Sequence, residues 1–153
     1  MPGKRRRQIV GETPTLQLKE GEMVAKGKIL VIDDDPDFLE FATIVLESEG
    51  YEVYTAESTG EGLSEMRRLK PDLVLLDVMI SYTLDGLNVT REMRGDPELR
   101  EIPLILISAI VSREEATLSP TGEHLHADFF MSKPIEPSEL LEQVGKFIAR
   151  PKG

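Results

Sequence analysis

Four short apolar runs, at 29–32, 73–76, 104–107 and 129–131, each stop at a polar residue, and this repetition most narrows the folds open to the chain. The run at 29–32 is unbroken, as in strands buried on both faces of a sheet. A further short run at 51–54 reads as a second strand. Between the runs the period changes. Phe38, Leu39, Ala42, Val45 and Leu46 recur at helical spacing, and Gly50 stops that helix. Pro36 suits its first turn, with Asp34 or Asp35 as the cap. Ser58 and Glu61 form a capping box for a helix through Leu69, which Pro71 ends. Asp85 and Gly86 read as a turn before a helix from about 87 to 94, closed by Gly95. A fourth helix is expected within 110–126, weakened by Pro120 and Gly122. Pro137 opens the last helix, with Leu140, Leu141, Val144, Phe147 and Ile148 as its apolar stripe. Five strands alternating with five helices predict an α/β fold, a doubly wound parallel sheet covered on both faces.

In such sheets the working site lies at the carboxyl ends of the strands. Strand one ends in Asp33, Asp34 and Asp35, strand three in Asp77 and strand four in Ser108, while strand five delivers Lys133. If strands one, three, four and five are neighbours, these groups converge. Clustered carboxylates repel, so a cation is expected to balance them, and an all-oxygen set suits Mg²⁺. A lysine opposite supplies a point charge for a phosphate, and a small hydroxyl can bond a phosphoryl oxygen. These parts describe phosphoryl transfer to a carboxylate, driven by positioning and charge neutralisation. Each also has a plainer reading. The acids at 33–37 suit the positive end of a helix, Asp77 can cap a turn, and Lys133 can be a solvated loop lysine. Asp33, Asp35 and Asp37 imitate the start of a calcium loop, but Phe38 and Ile44 stand where glycine and a bidentate acid are required. His124 and His126 have no cysteine or third histidine to make a metal site with them, and read as surface residues.

With its motifs ILVIDDD at 29–35, LVLLD at 73–77, LILISA at 104–109 and FFMSKP at 129–134, the chain resembles the receiver domains of two-component response regulators. The resemblance implies a flavodoxin-like sheet of order 2-1-3-4-5. It implies Asp77 as phosphoacceptor, Asp34 as direct Mg²⁺ ligand, Asp33 as a ligand through water and the Met79 backbone carbonyl as a third protein ligand. It implies Ser108 as the switch hydroxyl, Phe130 as the aromatic switch and Lys133 as the phosphate-pairing lysine, followed by a cis peptide to Pro134. The implied partners are a histidine kinase or phosphotransfer protein, a downstream protein and, as an option, a second copy of the chain. The loop DVMISYTLDG departs from the pattern. It lacks the common proline and is one residue longer before Asp85 and Gly86, so phosphoryl lifetime and partner choice are expected to differ. The stretch from Ser108 to Lys133 is also long.

Charge and length bound the function. The net charge is −10; residues 1–27 hold six Lys/Arg and three Glu, or +3, leaving −13 on the rest. An acidic body repels nucleic-acid phosphates. Lys4, Arg5, Arg6 and Arg7 could touch an anionic partner, or form a solvated arm. The expected organisation is a flexible extension at 1–27, a receiver domain at 28–150 and a short tail at 151–153. No apolar run approaches the roughly 20 residues that span a bilayer, and the chain has no cysteine, which fits a cytoplasmic setting. The chain stops soon after the last helix, which points to a stand-alone, non-enzymatic regulator acting through partners. Two other functions compete. One is a receiver-like interaction module that does not use phosphorylation. The other is a small aspartyl-nucleophile phosphatase with Asp33 and Asp35 as paired acids, disfavoured by Asp37 and by the lack of a substrate-selecting cap.

Overall fold

In the computed structural model, which describes residues 26–78, 85–108 and 127–148 (for 85–87 the backbone only), the chain runs through five strands and four helices. They are β1 (Lys28–Ile32), α1 (Pro36–Ser48), β2 (Glu52–Ala56), α2 (Thr59–Leu69), β3 (Leu73–Asp77), α3 (Asp85–Gly95), β4 (Leu104–Ser108), β5 (Phe129–Ser132) and α4 (Pro137–Ile148). The strands form one parallel sheet in the order β2-β1-β3-β4-β5. The extension at 1–25, Met79 and the loop at 80–84, the helix expected within 110–126 with its two histidines, and the tail at 151–153 lie outside the described residues.

Alternation along each strand explains the unbroken apolar runs. Leu30, Ile32, Val74, Leu76, Leu104 and Leu106 enter one core cluster with Met66 of α2 and Val89 and Met93 of α3. Ile29, Val31, Leu73, Leu75, Ile105 and Ile107 enter the other with Leu39, Ala42 and Leu46 of α1 and Leu140 and Val144 of α4. Successive side chains point to opposite faces, and here both faces are covered. No helix among the described residues is long and apolar enough to cross a membrane.

Local chemistry sets the helix ends. Asp35 caps α1, its side chain accepting from the Asp37 amide at 3.0 Å, with Pro36 in the first turn. At the other end, Gly50 takes φ +99°. Its amide donates to the Glu47 carbonyl, and the Tyr51 amide reaches back to Leu46, a Schellman ending that favours glycine. On α2, Ser58 accepts from the Glu61 amide at 3.2 Å, while Glu61 reaches back to the amide of Glu57 rather than that of Ser58. Several boundaries shift from expectation. The edge strand β2 runs Glu52–Ala56, because Lys28 pairs with Glu52 and Ile32 with Ala56. β5 continues to Ser132, paired with Ser108. Asp85 and Gly86 belong to α3 rather than to a turn before it; an acid is favourable in a first turn.

Gly62 lets α2 pack tightly against β1. A Cβ there would stand 2.6 Å from Ile32 Cδ1 and 3.0 Å from its Cγ1. Alanine gains about 1 kcal/mol in helix propensity over glycine, while overpacking a full core typically costs about 1–3 kcal/mol. Because Ile32 is fully buried, the clash should win. Gly62→Ala is expected to lower the urea midpoint by an amount worth about 1 kcal/mol, with an unchanged m-value. A stabilised variant would show that Ile32 yields freely.

Candidate functional site

Register builds the site. Ile32 pairs with Leu76, so the residues that follow, Asp33 and Asp77, emerge at one level on adjacent strands. Asp77 pairs with Ile107, and Ser108 pairs with Ser132, which places Ser108 one step and Lys133 two steps further along. Backbone bonds carry the ladder past the strand ends: the Asp33 amide donates to Ala56, Val78 to Ile107 and Lys133 to Ser108, at 2.9–3.0 Å. The acids, the hydroxyl and the lysine are therefore fixed by the sheet.

Asp33 is 1% exposed, Asp77 7% and Ser108 1%, although the residues buried around them are almost all hydrophobic. One carboxylate oxygen from each of Asp33, Asp34 and Asp77 lies within 4.8 Å of the others. Lys133 enters from the β5 side. Its ammonium donates to Asp33 Oδ2 at 2.7 Å and stands 3.6 Å from Asp77 Oδ2. The other oxygen of Asp33 accepts the Asp35 amide at 2.9 Å, tying the acid to the start of α1. The Lys133–Pro134 peptide is cis, as the resemblance implied.

Charge decides what the cluster can hold. Three carboxylate groups gather within 4.8 Å of one another, and the Lys133 ammonium reaches two of them, Asp33 and Asp77. Hard oxygen donors, one of them on the exposed Asp34, suit a small divalent cation that keeps part of its water. The residues fit Mg²⁺ on that ground. Burial alone would lower the Lys133 pKa. The hydrogen bond to Asp33 and the charges of Asp77, Asp33 and Asp35 outweigh it and raise the value above the ordinary 10.5. Lys133 is thus cationic throughout the neutral range. Its stabilising contribution is complete below about pH 10.4 and fades only as pH rises through the raised value.

The structure brings together Asp33, Asp34, Asp77 and Lys133, with Ser108 paired alongside them. Phe130 is turned inward, 8% exposed, in the core cluster shared with α2 and α3. Periodicity assigned Phe38 to the core and nothing more. Its ring also lies under the site lysine, with Lys133 Nζ 4.5 Å from the ring centroid. No signal in the sequence marks that contact, because it depends on how α1 and the turn after β5 meet.

Comparisons with known proteins agree with this geometry. The family model described as "Response regulator receiver domain" matches residues 29–145. The chain is 36% identical over 117 residues to the DNA-binding response regulator MtrA of Mycolicibacterium smegmatis, covering 76% of this chain and 48% of that protein. It is 31% identical to protein PilH of Pseudomonas aeruginosa, covering 80% of this chain and 98% of PilH. The chain spans about half the length of other curated relatives it matches, such as the MtrA proteins. Among solved structures, a putative response regulator from Chloroflexus aurantiacus superposes with a TM-score of 0.71 at 28% identity, covering 81% of this chain and 98% of that one. The sheet order, the acids at the strand ends and a family match over most of the chain lead to one assignment: this chain belongs to the response regulator receiver domains of two-component signalling.

Proposed function

We propose that this receiver is switched by Mg²⁺-dependent phosphorylation of Asp77. The observation that carries the reading is the Lys133 ammonium set between Asp33 and Asp77 at the carboxyl ends of β1 and β3. Asp33, Asp34 and Asp77, with the Met79 carbonyl expected from the resemblance, would hold the ion. When bound, it would neutralise charge on the transferring phosphoryl group. A carboxylate oxygen of Asp77 attacks phosphorus, an acyl phosphate bond forms, and the bond from phosphorus to the donor's nitrogen or oxygen breaks. The electron pair leaves with the donor, and no oxidation or reduction occurs. Lys133 pairs with a phosphoryl oxygen, and the Ser108 hydroxyl donates to another. Ser108 and Phe130 then form the switch that favours one of two surface states.

The donor in this reading is a phosphohistidine on a kinase or phosphotransfer protein, and the output is docking of a protein partner or onward transfer, in the cytoplasm. The receiver-family match over residues 29–145 supports a receiver unit at 28–150. The acidic body disfavours direct binding of nucleic acid. The protein is to be incubated with acetyl phosphate and Mg²⁺ and its intact mass recorded. One added phosphoryl group, absent in chelator, is the expected result. No gain with acetyl phosphate or with phosphoramidate would favour an interaction module that does not use phosphorylation.

A further inference from the structure

We propose that Phe38 is a positioning residue for Lys133, its ring face holding the ammonium in place beside Asp33 and Asp77. The inference rests on the reading of Asp77 as phosphoacceptor. Lys133 Nζ meets two anions, at 2.7 and 3.6 Å, and the Phe38 ring at 4.5 Å from its centroid. The ring cannot easily swing away. Phe38 is 9% exposed, belongs to the core on the α1 and α4 face, and tilts against Phe41 at 5.8 Å. It sits in the first turn of α1, just after the Asp35 cap and Pro36. The segment that supplies Asp33 and Asp34 therefore also sets the ring.

The contact differs in kind from the two ion pairs. Asp33 and Asp77 are both claimed by a cation or a phosphoryl group once the site is loaded, and each then gives up part of its hold on the lysine. The neutral ring competes for neither. A cation over an aromatic face is attracted by the ring's quadrupole, and more strongly where water is excluded. An open groove of about 540 Å³, lined by Asp35, Asp37, Phe38, Phe41, Lys133, Pro134 and Ile135, borders the lysine. Without an aromatic at 38, the ammonium can turn into that groove and toward Asp35.

The test compares Phe38→Leu, which keeps an apolar core residue, with Phe38→Tyr, which keeps the ring. The first readout is the NMR resonance of the Lys133 εCH₂ group, assigned by its loss in Lys133→Arg. A ring face above the ammonium moves that signal upfield. The shift is expected in wild type and Phe38→Tyr and lost in Phe38→Leu. The second readout is the phosphorylation rate with subsaturating acetyl phosphate, expected to fall about threefold to tenfold in Phe38→Leu and to recover in Phe38→Tyr. Identical Lys133 shifts in all three proteins would overturn the proposal. So would equal slowing in both variants in step with lost thermal stability, which would make Phe38 a packing residue only. If wild type takes no phosphoryl group, the reading of Asp77 fails separately, and the resonance alone decides where Phe38 holds Lys133.

Discussion

Lys133→Met should unfold at a markedly lower urea concentration than wild type in metal-free buffer, and Mg²⁺ should restore much of the difference. The lysine stands within ion-pair reach of both Asp33 and Asp77, and its side chain is only 18% exposed. Removing one partner of a buried pair strands the other charge, at a cost of about 3–5 kcal/mol when burial is complete. Partial access to water brings the expectation here to about 2–3 kcal/mol. A divalent cation held by the same carboxylates would offset the repulsion, and it stabilises the folded state by mass action. The Mg²⁺-induced shift in midpoint should therefore be larger in the variant than in wild type. Phosphorylation of the variant should slow about 100-fold, as when one preorganised donor to a developing charge is removed. Paired urea melts with Mg²⁺ and with chelator check the first part. Equal melts in chelator would mean that Lys133 does not balance the acids.

Asp77→Asn should move stability the other way while ending phosphoryl uptake. The substitution nearly keeps the shape of a side chain that is 7% exposed and removes one of three carboxylates crowded within 4.8 Å. Relief of like-charge repulsion predicts a gain of about 1 kcal/mol in metal-free buffer, and a smaller Mg²⁺-induced shift. The amide is not a nucleophile toward phosphorus under these conditions, so no mass gain is expected with acetyl phosphate. The opposite signs for Lys133→Met and Asp77→Asn form a joint test, since a purely packing account predicts loss in both. Calorimetric melts of the two variants beside wild type would show it, and a destabilised Asp77→Asn would contradict the charge account.

The apolar runs at 29–32, 73–76 and 104–107 announced buried strands because β1, β3 and β4 face helices on both sides, so the residues of each run are apolar whichever way they point. β2 was less legible. It is an edge strand with Glu52 and Thr55 exposed, and its mixed pattern placed its ends one or two residues early. Periodicity shows that a helix or strand exists but says nothing of neighbours, so the order of the sheet came from the resemblance rather than from spacing. The same holds for the site. Asp33, Asp77, Ser108 and Lys133 were visible as polar stops at strand ends, and the register of the sheet then brings them to the same end, with Asp33 and Asp77 level. Phe130 reads as both core and switch in the sequence, and its burial is consistent with either role. The contact of Phe38 with Lys133 was not legible, because it joins the first turn of α1 to the turn after β5, two segments distant along the chain.

The central claim is that the phosphoryl group lands on Asp77, and its site can be located chemically. The protein is phosphorylated with acetyl phosphate and Mg²⁺, reduced with borohydride to turn an acyl phosphate of aspartate into homoserine, digested and mapped by mass spectrometry. The account predicts homoserine at position 77 in the presence of Mg²⁺ and none in chelator. Homoserine at Asp33 or Asp34, or phosphate found on a hydroxyl instead, would contradict it.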